Sequence, residues 1–258
     1  MNRRLLLAAG CLALLAVTSG CLGIGTGPVS EDRLDGEPAE PYQWESNRTA
    51  HVVVQENTQF RAVMAVNQST IDLFRRDGFG GSNPLSVQAV RYRYPNGTVI
   101  TGSELRARGG EVRETRDETV VELPPGADGG GRLAFTSSGT PKRFTLPTYV
   151  DGTYEVVLPE DRRIDFPVFG QVSPGGYETV RDDRDRVQIT WAEPVTADTV
   201  SVRYYLQRDL YIFGGVLGLI VAVGVGGLLY RRRQIEQLRK QRTEMGLEVD
   251  ADDDDPPR

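Results

Sequence analysis

Cysteine, histidine and lysine are nearly missing. The 258 residues hold two Cys and one His, and Lys142 and Lys240 are the only lysines. Cys11 lies inside an apolar N-terminal run and Cys21 closes it, so a chain cut between them keeps one thiol and forms no internal disulfide. About 160 ordered residues must then be stabilised by their own core. Cys-ligated zinc and dithiol redox chemistry are excluded with the thiols. A single His excludes HExxH metal sites, and a Ser-His-Asp triad would have to use His51. Within the apolar run Ala50 to Val54 a structural role is expected for it.

Positive charge is also in deficit. Asp plus Glu number 36 against 30 Lys plus Arg, a net charge of −6. From Leu22 to Asp209 the count is 28 acids against 21 bases, a net −7. Such a surface gives no electrostatic case for nucleic acid. An acidic, lysine-poor chain points to a high-salt organism, although GC-rich coding would also exchange Lys for Arg.

Charge is absent altogether from Leu210 to Tyr230, twenty-one residues followed by Arg231, Arg232 and Arg233. At about 1.5 Å per residue this stretch is roughly 32 Å long, enough to cross a hydrocarbon core of about 30 Å as a helix. The arginines place its C-terminal end in the cytoplasm by the positive-inside rule, and Tyr204, Tyr205, Tyr211 and Tyr230 suit its two interfaces. The expected location is therefore the cell membrane, single-pass, with the ectodomain outside. The other apolar run, Leu5 to Val17, follows Arg3 and Arg4 and spans only about 20 Å, which fits a signal peptide over residues 1–20. Thr18-Ser19-Gly20-Cys21 resembles a lipobox that would lipidate Cys21, with Thr18 where an aliphatic residue is usual. Ordinary cleavage near Ala16 or Gly20 is the alternative. Asn2 to Leu7 also matches a relaxed twin-arginine export signal.

Between the two runs the reading is all-β. Residues 21–48, broken by Gly23, Gly25, Gly27, Pro28, Gly36, Pro38 and Pro41, read as a flexible tether. Over 49–124, alternation in Phe60 to Val66 and Val87 to Val90 predicts half-buried strands. Asn96-Gly97 predicts a tight primed hairpin turn, and Ser69 to Phe74 fits either a strand or a capped helical turn. Pro124 to Gly131 marks a boundary, after which 132–209 gives short strands at roughly ten-residue spacing. The expected ectodomain is an antiparallel β-sandwich, with an immunoglobulin-like arrangement the leading topology, as one domain or two. Residues 231–258 form a basic, helix-compatible segment suited to anionic headgroups and then an acidic end.

Three of the five ectodomain Asn, namely Asn47, Asn67 and Asn96, stand in N-glycosylation sequons. All lie in the first half, which suggests that this half projects away from the membrane. Asp182, Asp183 and Asp185 alternate with arginines that would repel a cation, so a solvated hairpin tip is expected there rather than a metal site. No catalytic residue, metal ligand or cofactor is assigned. The expected role is an envelope-anchored module that binds or supports another component; a carboxylate-dependent extracytoplasmic hydrolase is the alternative. In the apolar stretch, Gly214, Gly218, Ala222 and Gly226 recur every fourth residue and form a stripe of small side chains suited to close helix pairing. The expected partners are membrane lipid and, through that stripe, a second copy or another membrane protein.

The lipobox-like TSGC, Ser173-Pro174-Gly175-Gly176-Tyr177 leading into Val187 to Trp191, and Ser201 to Leu206 entering the apolar stretch together resemble a family of uncharacterised membrane-anchored proteins from haloarchaea. The resemblance implies location and architecture and brings no activity with it.

Overall fold

The computed structural model describes residues 26–127 and 130–244. They form two compact units, divided between Tyr205 and Leu206. The first is a β-sandwich. Its larger sheet has eight strands in the order Glu178–Arg181, Val187–Trp191, Tyr154–Val157, Ala50–Val54, Gln59–Val66, Gly131–Ser138, Val87–Arg93 and Val99–Thr101. All pairs are antiparallel except Ala50–Val54 with Tyr154–Val157, which run parallel. An immunoglobulin sheet has three to five strands, so this one is wider. It also joins strands from both sides of Pro124 to Gly131, which makes that stretch a connection within one sandwich.

The second layer consists of Gly27–Pro28, Glu111–Glu114, Thr119–Glu122, Thr70–Arg76 and Ser82–Pro84 in that order, with Arg143–Pro147, Thr199–Arg203 and Gln171–Ser173 as a further sheet. The stretch left open at Ser69 to Phe74 is thus mostly strand. Tyr149 joins the two parts of this layer: its ring meets Phe74 edge-on at 5.8 Å and its hydroxyl donates to the Phe74 carbonyl. Alternate residues of both layers, among them Val52, Ala62, Met64, Ile71, Leu73, Leu133 and Val202, close one core. Phe60 ties the layers through an edge contact with Phe144 at 5.3 Å, and meets Phe135 of its own sheet edge-on at 6.3 Å. Such contacts contribute about 0.5–1.5 kcal/mol each beyond burial.

Two expectations are corrected at the middle of the large sheet. Residues 21–48 are not a flexible tether from Thr26 onward, and residues 21–25 lie outside those described. Gly27 and Pro28 pair with Glu114 and Arg113, and Val29 and Leu34 are buried in the core. The five-residue helix Glu31–Asp35 seats Leu34 against Gly102, where any Cβ would lie 2.6 Å from that of Leu34. Residues 36–48 then cross the outer face of the large sheet as a strap. For the same reason Ala50–Val54 and most of Gln59–Val66 are covered on both faces rather than half-buried. Their near-continuous apolar runs are what two-sided burial demands.

The hairpin at Asn96-Gly97 forms with a different turn. Gly97 N–H donates to Tyr94 O, Tyr94 N–H to Thr98 O, and only Gly97 takes a positive φ, +88°. This is a three-residue loop with a glycine bulge; Pro95 already holds φ negative at the first corner. A second short helix, Gly102–Ala107, starts from a capping box in which Thr101 accepts from Glu104 N–H and the Glu104 carboxylate accepts from Thr101 N–H.

The registers define two ends of the sandwich. Val66 faces Gly131 at one end of the central pair and Gln59 faces Ser138 at the other, about 24 Å apart at 3.4 Å per residue. Past Ser138, Gly139 N–H donates to Thr58 O, Thr140 bridges Arg143, and Arg143 faces Arg203. Thr199–Arg203 therefore runs toward the Gln59/Ser138 end, and the chain leaves the sandwich there, at Tyr205. We call this the exit end and the Val66/Gly131 end the far end.

The second unit holds the helix Gln207–Glu244. It contains the one stretch among the described residues long and apolar enough to cross a membrane. Its apolar side chains from Tyr211 to Tyr230 are exposed.

Candidate functional site

The strap is built by arginines that project from the outer face of the large sheet. Arg91 donates to the carbonyls of Leu34, Asp35 and Gly36, all of which the short helix leaves unpaired at its C-terminal end. Arg61, itself buried, donates to Pro41 O at 2.8 Å and pairs with Glu40. Arg132 donates to Ser46 O at 2.6 Å, and Arg93 pairs with Glu45. Between these clamps Tyr42 lies over Val63, Ala89 and Ala134, with Trp44 packed beside it at 5.9 Å. The Tyr42 hydroxyl donates to Ala89 O at 2.7 Å and meets Thr136 Oγ1 at 2.9 Å. Burial pushes its pKa up to about 12.

Beneath this segment the parallel pairing sets His51 opposite Glu155. His51 Nδ1 lies 2.6 Å from Glu155 Oε2, and Nε2 lies 2.7 Å from Gln43 Oε1 of the strap. The hydrogen bond from His51 holds the Glu155 carboxyl below the usual carboxylate range, outweighing the opposing effect of burial. A general base needs a ring nitrogen within reach of the proton it abstracts; here the nitrogen a nucleophile would use is taken by an amide. His51, Glu155 and Gln43 therefore pin the strap to the sheet. Around them lies an open depression of about 660 Å³ lined by Tyr42 to Arg48, His51 and Glu155.

A neighbouring depression of about 520 Å³ is lined by Trp44, Asn47, Asn67, Arg93, Pro95 and Arg132, among others. It brings together two of the sequon asparagines and the residue next to the third. Asn47, Asn67 and Asn96 are all exposed. Asn47 precedes the strand that begins at Ala50, Asn67 follows Val66, and Asn96 tips the hairpin between Arg93 and Val99. All three stand at the far end. Sequence reasoning found the asparagines without their convergence, and it missed Tyr42, Gln43, Glu155 and the clamping arginines.

Asp182, Asp183 and Asp185 do form a hairpin tip. Burial raises the Asp182 pKa, but hydrogen bonds from Arg186 and Arg184 prevail and hold it low. Arg186 also pairs with it at 2.7 Å, and Arg163 pairs with Asp185. No cluster of three or more metal-ligating side chains occurs among the described residues. Cys21 lies outside them. Gly214, Gly218, Ala222 and Gly226 lie in the long helix, and a Cβ built on any of the three glycines meets nothing within 4 Å.

A family model described as a family of unknown function (DUF5803) matches residues 46–250, from the end of the strap through the apolar helix. No curated protein matches the sequence.

Proposed function

The chain belongs to the family of unknown function DUF5803, and from that premise we propose that it is an envelope protein, anchored in the cell membrane by Leu210 to Tyr230, whose sandwich binds or supports another envelope component. The ectodomain lies outside, and the basic stretch from Arg231 lies in the cytoplasm. Signal-peptide cleavage and lipidation of Cys21 add a second attachment, and the stripe of Gly214, Gly218, Ala222 and Gly226 pairs the helix with a second copy or another membrane protein. The observation that carries the reading is the placement of Asn47, Asn67 and Asn96 at the far end, opposite the point where the chain departs for the helix. Glycans there would stand away from the bilayer. A binding role is favoured over hydrolysis because both ring nitrogens of His51 are engaged and Glu155 faces that ring rather than a second carboxylate.

Glycopeptide mass spectrometry of the protein purified from its own membrane tests this. Glycan mass is expected on peptides holding Asn47, Asn67 and Asn96, and each Asn→Gln change should remove its share. Unmodified asparagines at all three positions would remove the main support for the outward orientation.

A further inference from the structure

Among the exposed large apolar side chains of the sandwich, the two most exposed are Phe79, at 101%, and Val168, at 65%. Both stand at the exit end. Thr70–Arg76 runs down to that end, where Arg75 donates to Ser138 O, and Phe79 tips the turn beyond it. The turn is closed: Asp77 N–H donates to Gly81 O, and the Asp77 carboxylate accepts from the N–H groups of Phe79 at 2.9 Å and Gly81 at 2.7 Å. The ring is thus held outward by a short hydrogen-bonded loop. Val168 sits in a second closed turn, Phe166-Pro167-Val168-Phe169, in which Phe169 and Gly170 N–H both donate to Phe166 O. Phe169 packs on Tyr205 at 5.9 Å, and Tyr205 is five residues from Leu210.

The charges at this end have the same direction. Arg143 and Arg203 face each other across neighbouring strands and both are exposed. Neither has an ion-pair partner among the described residues. Like charges in such a pair are destabilising, and an anion from outside the chain would relieve that repulsion. Arg143 also lines a depression of about 290 Å³ with Arg75, Arg76 and Gly78 of the Phe79 turn. Of the acids at this end, Asp77 caps its own turn and Asp165 pairs with Arg181 at 3.1 Å, whereas Glu56, Glu160 and Asp161 are exposed on the turns toward the other edge of the large sheet.

From these observations we infer that the exit end is a membrane-contacting surface, in which Phe79 and the Phe166–Phe169 turn enter the interfacial layer of the bilayer while Arg143 and Arg203 take anionic lipid headgroups. This rests on the reading that Leu210 to Tyr230 spans the bilayer. Apolar tips beside cations are the composition that binds an anionic interface, and the length of chain after Tyr205 keeps that end near the membrane. A polypeptide partner is disfavoured because the two tips are separate turns and the depression beside Phe79 is lined mostly by polar and charged residues.

The full chain, with Cys11→Ser and Cys21→Ser, is placed in vesicles of phosphatidylcholine and phosphatidylglycerol and spin-labelled singly at Phe79→Cys, Val168→Cys, Asn96→Cys or Leu217→Cys. Accessibility to oxygen and to a water-soluble nickel chelate gives the depth of each label. The proposal expects labels 79 and 168 to lose nickel accessibility relative to label 96, and Arg143→Glu with Arg203→Glu to restore it. Labels 79 and 168 as accessible as label 96, with label 217 embedded in lipid, would overturn the proposal and leave the anchor standing. An aqueous label 217 would overturn the anchor and the proposal with it.

Discussion

Replacing Tyr42 by Ala should unfasten the strap. The ring is only 8% exposed and rests on Val63, Ala89 and Ala134. Truncating a buried aromatic costs about 3–5 kcal/mol in a closed core. Tyr42 lies on an outer face where water can refill the space, so the low end applies, about 3 kcal/mol. For a domain of this size that corresponds to a fall in Tm of roughly 6–12 °C. Tyr42→Phe keeps the ring and loses the hydroxyl's bonds to Ala89 O and Thr136 Oγ1, for which about 1–2 kcal/mol is expected. Thermal unfolding of the full chain in detergent measures both. Trypsin at native temperature reports where the loss falls, because Arg33 and Arg48 flank the released segment. The alanine variant should be cut at Arg48 well before the rest of the sandwich. If Tyr42→Ala melts with wild type and resists trypsin at Arg48 as well as wild type does, the strap is not held as argued.

Alkaline pH should weaken the sandwich between about pH 10 and 12. Burial raises Tyr42 and Tyr154 each to about 12, so the unfolded chain loses those protons first. Stability is full below pH 10 and falls as pH rises through the native values, by about 2.7 kcal/mol per residue at most; Tyr42→Phe should flatten part of that limb in urea titrations. Glu155 behaves oppositely: its pKa is depressed by His51, so its contribution is present above the ordinary carboxylate value and is lost as pH falls through the native one. Glu155→Gln should reduce the acid dependence of the urea midpoint, and an unchanged acid limb would show that the pair contributes nothing. In the long helix, Leu at Gly218 and Ala222 should weaken crosslinking between chains, whereas Ile at Leu217 and Leu at Val221 should not. Equal effects would reduce the stripe to composition.

The apolar helix was legible because its apolar residues form one uninterrupted run, and the strands because alternation is local. The strap was not. Tyr42 within it and Val29 and Leu34 ahead of it are buried too far apart to show a period, and the arginines that hold this segment come from strands 20 to 86 positions away. One trace of it was present: the near-continuous apolar runs at Ala50–Val54 and Gln59–Val66 need a cover on each face, and period-two reading passed over that. The His51–Glu155 pair spans 104 positions and exists only through the parallel register. The capping box at Thr101 and Glu104 was readable locally and was missed among strand signals. The sequons were plain, yet their meeting at one end depends on strand register, which composition does not encode.

The central claim is orientation, with the far end of the sandwich outside and the helix tail inside. It is tested most directly by a membrane-impermeant maleimide applied to intact cells carrying Asn96→Cys or Gln241→Cys, with Cys11 and Cys21 changed to Ser. Residue 96 should label at once and residue 241 only after lysis. Labelling of residue 241 in intact cells, with residue 96 protected, would contradict the account.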